Sequence, residues 1–117
     1  VKVGTSASIG ARVGLDHEVE IGAHVLIGMR TKVCTGTKVG GFTTISHDCL
    51  IEQKSEIEGS ISIAHDVRLH PGASIKKGAT IGNHAAIGGE VGEDATVATR
   101  VMVHREMTVP AGTVFSG

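Results

Sequence analysis

Histidine is followed by aspartate twice in the middle of the chain, in two segments that are near copies of each other. The segment ISHDCLIE starts at Ile45 and the segment IAHDVRLH starts at Ile63, so His47 and His65 occupy equivalent places in them. Imidazole titrates near neutral pH, and a neighbouring carboxylate fixes its tautomer and raises its basicity, so this combination suits proton transfer. These two segments are the first candidates for a functional site.

A six-residue repeat decides which side chains meet. Aliphatic residues recur at every sixth position from Val3 to Ile87, and after a two-residue deletion the pattern resumes at Val91 and runs to Phe115. A weaker series of mostly small or apolar residues lies two positions before these anchors. Because side chains two residues apart leave the same face of a strand, each repeat is predicted to form one very short strand and a corner. The uniform period of six excludes an α-helix. It also excludes a β-sandwich, which would show turn signals about every 8–12 residues.

Three strands and three corners, and therefore three repeats, form one coil. The sequence thus predicts an all-β chain, a parallel β-helix shaped as a triangular prism of about six coils, with a single domain spanning residues 1–117. Residues three repeats apart stack in columns, which pairs His47 with His65 on one corner and makes Glu52 and His70 neighbours on the next. Glycine follows many of the anchors, and we expect it where the corner backbone packs closely or needs unusual torsions.

Composition and charge exclude several classes of function. The formal charge of -1 gives no field that would attract nucleic acid or an acidic membrane surface, so neither is expected as a partner. No apolar run is long enough to span a membrane or to form the core of a secretion signal. Cys34 and Cys49 lack the setting of a disulfide framework, so both are predicted to be reduced and the protein cytoplasmic. With 17 glycines and no Trp or Tyr, the core must be thin and rich in Val and Ile.

The pattern of an aliphatic anchor followed by small and variable residues resembles the hexapeptide-repeat superfamily over essentially the whole chain. This resemblance implies that the coils are left-handed, which periodicity alone does not show. It also implies acyl transfer from acyl-CoA or an acyl carrier protein, because most members of the superfamily are trimeric acyltransferases. Since one fold hosts several functions, the corners have to be considered individually.

The segment around His47 and Asp48 resembles the His-Asp-Cys segment of the sialic-acid and bacillosamine type acetyltransferases. The resemblance implies that His47 is the general base, that Asp48 orients its ring, and that acetyl-CoA or another acyl-CoA is the donor. The acceptor would be a hydroxyl or amine of a small molecule, in particular a sugar. A second histidine, found nine residues downstream in some of those enzymes, is replaced here by Glu56. The sequence does not identify residues that bind the donor.

The segment from His65 to His70 resembles the His-x4-His segment of the γ-class carbonic anhydrases. In that family the two histidines and a third ligand from the coil below bind a metal across the trimer interface. The third position corresponds to Glu52, and two histidines with one carboxylate form an acceptable site for zinc or another divalent metal. Other residues of that family have no counterpart in the preceding coils, which argues against carbonic anhydrase activity. A third alternative is a structural or assembly module without catalysis.

The chain is predicted to be a homotrimer. A prism without large side chains buries little apolar surface per residue, and side-by-side packing of three prisms would cover what a monomer exposes. Phe42 is expected to point outward from a corner, either at such a contact or in the wall of a substrate site. Light scattering at micromolar concentration should give three times the mass of the chain. A monomer mass would contradict the trimer and every site placed between subunits.

Overall fold

The structure, a computed structural model, describes residues 2–116, so Val1 and Gly117 of the predicted domain lie outside the described residues. Strands of two residues alternate with corners along this whole range. In chain order the strands are β1 (Lys2–Val3), β2 (Ser8–Ile9), β3 (Gly14–Leu15), β4 (Glu20–Ile21), β5 (Leu26–Ile27), β6 (Lys32–Val33), β7 (Lys38–Val39), β8 (Thr44–Ile45), β9 (Leu50–Ile51), β10 (Glu56–Ile57), β11 (Ser62–Ile63), β12 (Arg68–Leu69), β13 (Ser74–Ile75), β14 (Thr80–Ile81), β15 (Ala86–Ile87), β16 (Glu90–Val91), β17 (Thr96–Val97), β18 (Met102–Val103), β19 (Thr108–Val109) and β20 (Val114–Phe115).

Every third strand belongs to the same parallel sheet. The three sheets have the orders β1-β4-β7-β10-β13-β16-β19, β2-β5-β8-β11-β14-β17-β20 and β3-β6-β9-β12-β15-β18. The register is regular: Ile63 of β11 pairs with Ile45 of β8 below it and with Ile81 of β14 above it. The three sheets enclose a prism of 33 × 20 × 20 Å, which confirms the predicted left-handed parallel β-helix of about six coils. Within residues 2–116, no helix is long and apolar enough to cross a membrane.

The anchors of the repeat form the core. From Ile21 to Val109, each anchor is at most 3% exposed, and the aliphatic side chains stack in three columns along the prism axis. The residue two positions before the anchor also faces inward, and this second series includes four buried polar side chains, those of Thr31, Thr37, Thr43 and Ser55. Since a two-residue strand and a tight corner leave only these two inward positions per repeat, six residues suffice for one side of the triangle.

The corners require left-handed backbone torsions, but not at the glycines that follow the anchors. Thirteen residues other than glycine have a positive φ, and each of them is the third residue of its corner. The glycines after the anchors serve close packing instead. A Cβ atom on Gly28 would lie 2.7 Å from Nδ1 of His47, so a side chain at this position would displace the ring. Of the two roles expected for these glycines, the structure supports close approach.

The two-residue deletion in the repeat forms one tightened corner. Only Gly88 and Gly89 separate β15 from β16, and a Cβ atom on Gly89 would overlap the carbonyl oxygen of Met107 in the coil above. The partner of Ser74 in the next coil is consequently Glu90, two positions earlier in the chain than an uninterrupted repeat would place it. The strands nevertheless stay in register, and the core columns continue without a gap.

Replacing Thr43 by Val should stabilise the protein. The hydroxyl of Thr43 is buried without a hydrogen-bond partner among the described residues, whereas that of Thr37 donates to the Glu52 carbonyl at 2.9 Å. Removing an unsatisfied buried hydroxyl should raise the free energy of unfolding by about 1 kcal/mol, and removing a satisfied one should lower it by a similar amount. Thermal unfolding of Thr43→Val and of the control Thr37→Val tests this. Equal shifts for both variants would contradict it.

Candidate functional site

The two histidines of the repeated segments stack on one corner of the prism. His47 lies two residues after β8 and His65 two residues after β11, and these two strands pair in parallel. Their imidazole rings are 5.3 Å apart between centroids and only 10° from parallel. Both side chains are exposed to solvent. The spacing of three repeats therefore predicted this vertical pair correctly, and we call it the histidine column.

Backbone amides fix the orientation of both rings. The N–H of Met29 donates to Nδ1 of His47 at 2.8 Å, and the N–H of His47 donates to Nδ1 of His65 at 3.3 Å. One coil higher, the N–H of His65 donates to Oδ1 of Asn83 at 2.9 Å, which extends the column. Because Nδ1 accepts a hydrogen bond, the neutral imidazoles carry their proton on Nε2. The column thus presents Nε2–H groups as hydrogen-bond donors.

Asp48 is held by an arginine from the coil below. Nε of Arg30 lies 2.7 Å from Oδ1 of Asp48, and Nη2 lies 3.1 Å from Oδ2, a two-point ion pair. The hydrogen bonds from Arg30 lower the pKa of Asp48, so the carboxylate stays charged over a wider pH range. Within residues 2–116, no hydrogen bond joins Asp48 to the His47 ring. In the structure the Met29 amide contacts this ring, and the role of Asp48 in orienting it stays a prediction.

The predicted metal ligands are only partly brought together in one chain. Nδ1 of His70 lies 3.6 Å from Oε2 of Glu52, which confirms that these two residues are neighbours. The same carboxylate oxygen accepts a hydrogen bond from Nε of Arg68 at 3.0 Å. The positive charge of this guanidinium would repel a metal ion bound to Glu52. His65 belongs to the histidine column on a different corner. Among residues 2–116, no three His, Cys, Asp or Glu side chains converge on a point that could hold a metal.

The two cysteines have different settings, neither of which suits a nucleophile. Cys49 is 2% exposed and belongs to the core, where its thiol donates to the Ala64 carbonyl at 3.1 Å. Burial raises the pKa of Cys49 to about 11, so it is a core residue, as its place on the inward series predicts. Cys34 is half-buried at a corner, and burial raises the pKa of its thiol too.

A shallow groove runs beside the lower end of the histidine column. It has a volume of about 310 Å³ and is lined by Leu26, Met29, Thr44, Ser46 and His47, among others. None of its lining residues other than His47 is titratable, and Leu26 is 52% exposed at its edge. The groove therefore offers an uncharged surface next to the exposed edge of an imidazole.

Sequence reasoning missed the residues below the column. Met29 and Arg30 lie three repeats before His47 and Asp48, so the spacing that paired the histidines also pointed to them. They were overlooked because Met29 acts through its backbone, which residue type does not reveal, and because Arg30 lies outside the two repeated segments. Asn83, three repeats after His65, extends the same column.

Solved structures of other proteins have the same fold as this chain. No protein-family model matches the chain, and no curated protein matches it significantly. The structure is similar to that of a hexapeptide transferase family protein from Anaplasma phagocytophilum, with 19% identity, a TM-score of 0.64, and coverage of 100% of this chain and 79% of the other. The fold is that of the hexapeptide-repeat transferases.

The structure is also similar to that of PerB from Caulobacter crescentus, which was solved with CoA and GDP-perosamine. The identity is 22%, the TM-score is 0.51, and the match covers 98% of this chain and 49% of PerB. The chain thus spans about half the length of PerB.

Proposed function

We propose that the protein is an acyltransferase that moves an acetyl or other acyl group from a CoA or carrier-protein thioester to a hydroxyl or amine of a small molecule, in particular a sugar. The observation that carries this proposal is the exposed His47 imidazole beside an uncharged groove, on a fold shared with transferases. PerB, one of the structural neighbours, was solved with CoA and with a nucleotide-linked sugar. A cytoplasmic homotrimer, with the groove completed by a neighbouring subunit, is part of the proposal.

His47 would remove the proton from the acceptor. As the acceptor oxygen or nitrogen bonds to the acyl carbon, its proton passes to the imidazole, and the same proton then passes to the sulfur that leaves. The neutral ring has one lone pair, on Nδ1, and the Met29 amide uses it. For His47 to act as a base, its ring must therefore give up this hydrogen bond, for example by a half-turn about the Cβ–Cγ bond, at a cost of about 1 kcal/mol.

Asp48 would act by charge rather than by orienting the ring. Its ion pair with Arg30 lowers its pKa, so the carboxylate remains charged when the neighbouring imidazole gains a proton. A fixed negative charge next to the imidazolium stabilises it, and the reacting pair needs no rearrangement of Asp48. The two hydrogen bonds from Arg30 would hold the carboxylate away from the ring and leave the imidazole edge open to the acceptor.

Replacing His47 by Ala should abolish turnover but leave donor binding intact. A general base acts in the transition state, so the loss should appear in kcat and be on the order of 10²-fold or more. Acetyl-CoA binding can be measured by calorimetry, and turnover by thiol release with a panel of amino sugars as acceptors. His65→Ala is the matched control, because it removes the stacked ring and leaves the proposed base. If both variants lose the same activity, or if His47→Ala retains it, His47 is not the base.

The second candidate function is a metal-dependent trimer that resembles the γ-class carbonic anhydrases. The contact between Glu52 and His70 favours it, since these residues would need only His65 of a neighbouring subunit to complete a three-ligand set with an open fourth position. Arg68 would have to move away from Glu52 for an ion to bind.

Elemental analysis separates this candidate from acyl transfer. The metal candidate predicts about one ion of zinc, cobalt or iron per subunit in the trimer, with loss on dissociation and on acidification, because protonated imidazoles do not bind metals. His70→Ala should remove the ion. His104→Ala, on the same ladder of corner positions but two coils above, should not. Less than about a tenth of an ion per subunit under all growth conditions would exclude the metal site.

A further inference from the structure

The outward positions of the first sheet carry charges of alternating sign. In β1, β4, β7 and β10 the first residue of the strand is exposed. These four residues, which we call the charge row, are Lys2, Glu20, Lys38 and Glu56. The strand register places each of them directly beside the next, so the sign of the charge changes from coil to coil. The step between neighbours is the strand spacing of about 4.8 Å.

The charge row has no charged partner within the chain. Within residues 2–116, none of its four side chains belongs to an ion pair, whereas Arg30 and Asp48 of stacked coils form one at 2.7 Å. Two shallow grooves of about 370 and 380 Å³ lie on the same face, and residues of the charge row line both of them. The face therefore presents free charges beside depressions that have room for the ends of opposing side chains.

Exposed apolar side chains lie on the other two faces of the prism. Leu26 and Val114 on the second sheet and Met102 on the third point outward, and each is more than half exposed. On the first sheet every outward residue is charged or carries a hydroxyl group, namely Lys2, Glu20, Lys38, Glu56, Ser74, Glu90 and Thr108. A trimer that buries apolar surface would use the other two faces, which leaves the first sheet for a further contact.

The order of charges in the row is its own complement when it is reversed. Read from Lys2 the signs are plus, minus, plus, minus, and read from Glu56 they are minus, plus, minus, plus. In a second copy that lies face to face with its prism axis reversed, Glu56 is therefore opposite Lys2 and Lys38 is opposite Glu20. The two-fold axis repeats both pairs, so all four positions are matched. A parallel copy at the same height would place like charges opposite each other, which is unfavourable.

We propose that the charge row binds the charge row of a second copy of this chain in the antiparallel orientation. The spacing selects this partner. Side chains on one face of an extended strand are about 6.6 Å apart, and a helix repeats every 5.4 Å on a curved surface, so neither stays in step over four flat layers at about 4.8 Å. A polymer of one sign of charge would be repelled by two of the four positions. A second stack of parallel coils has both the spacing and the alternation.

The contact is weak and depends on salt. Four coils at strand spacing across a face 20 Å wide give about 400 Å² on each copy, in the range of transient rather than permanent interfaces. Exposed ion pairs contribute little individually, and salt screens them. Association is therefore expected at high protein concentration and low ionic strength. It is independent of the proposed acyl transfer, because the histidine column lies at the corner between the second and third sheets.

Light scattering at two salt concentrations tests the pairing. At about 1 mM chain, the average mass in about 0.02 M salt should be at least about 1.5-fold larger than in about 0.5 M salt, where the charges are screened within a few ångströms. The comparison holds whether the unit present at high salt is a monomer or a trimer. An equal mass at both salt concentrations would overturn the proposal.

Charge reversals identify the residues that pair. Lys38→Glu and Glu20→Lys each put like charges opposite each other at the centre of the contact, so each variant alone should keep its high-salt mass at low salt. In an equimolar mixture the two reversed positions face each other and every pair is again plus against minus, so the larger mass should return. Lys32→Glu is the matched control, since it makes the same change of charge on β6 of the third sheet and should behave as the unaltered chain.

The mixture separates pairing from effects of net charge or folding. Loss of association in Lys32→Glu as large as in Lys38→Glu would make net charge the cause and overturn the proposal. A mixture that stays at the high-salt mass would overturn the antiparallel pairing of Glu20 with Lys38. Should either variant fail to unfold cooperatively on heating, Lys2→Glu and Glu56→Lys, which form the outer pair, replace them with the same expected loss and recovery.

Discussion

The parallel pairing of coils in strict register is the constraint on which the rest of the structure depends. Each backbone N–H that follows an anchor donates to the anchor carbonyl of the next coil, as between Ser46 and Ile63 at 2.9 Å. Because this ladder fixes every coil relative to the next, side chains at equivalent positions are forced into columns at strand spacing. The residues of a site on such a scaffold therefore lie along one line, parallel to the prism axis. A residue's neighbours are the ones a coil above and a coil below, and few contacts come from elsewhere.

This linear order explains how the site is held beside a shallow groove rather than inside an enclosed pocket. The coil below supplies an amide to the His47 ring and a guanidinium to Asp48, and the coil above supplies a stacked imidazole. None of these groups depends on a loop. The two residues act on different partners, however, so adjacency in sequence does not make them a catalytic pair. The stacking of coils therefore both holds His47 and Asp48 in place and keeps these two side chains from contacting each other.

The sequence predicted the fold almost completely and the site only in part. Fifteen anchors at a constant spacing admit one arrangement of strands, and the pairs His47–His65 and Glu52–His70 follow from that spacing alone. The same spacing also places Arg30 one coil below Asp48, but this ion pair was not predicted, because Asp48 was paired with the adjacent His47 although adjacent residues at a corner point in different directions. The same spacing could not show that the hydroxyl of Thr43 lacks a partner, since Thr31 and Thr37 on the same series have one.

The tightened corner at Gly88 and Gly89 shows that this scaffold tolerates changes of chain length. Two residues are missing there, yet the strands on both sides keep their partners and the core columns continue. A length change is absorbed within one corner, because each coil is held by its own ladder and not by the corner that leads to it. Loops of other lengths could therefore be inserted at the corners during evolution without repacking the interior. The prism is in this sense a frame on which new recognition surfaces can be added one corner at a time.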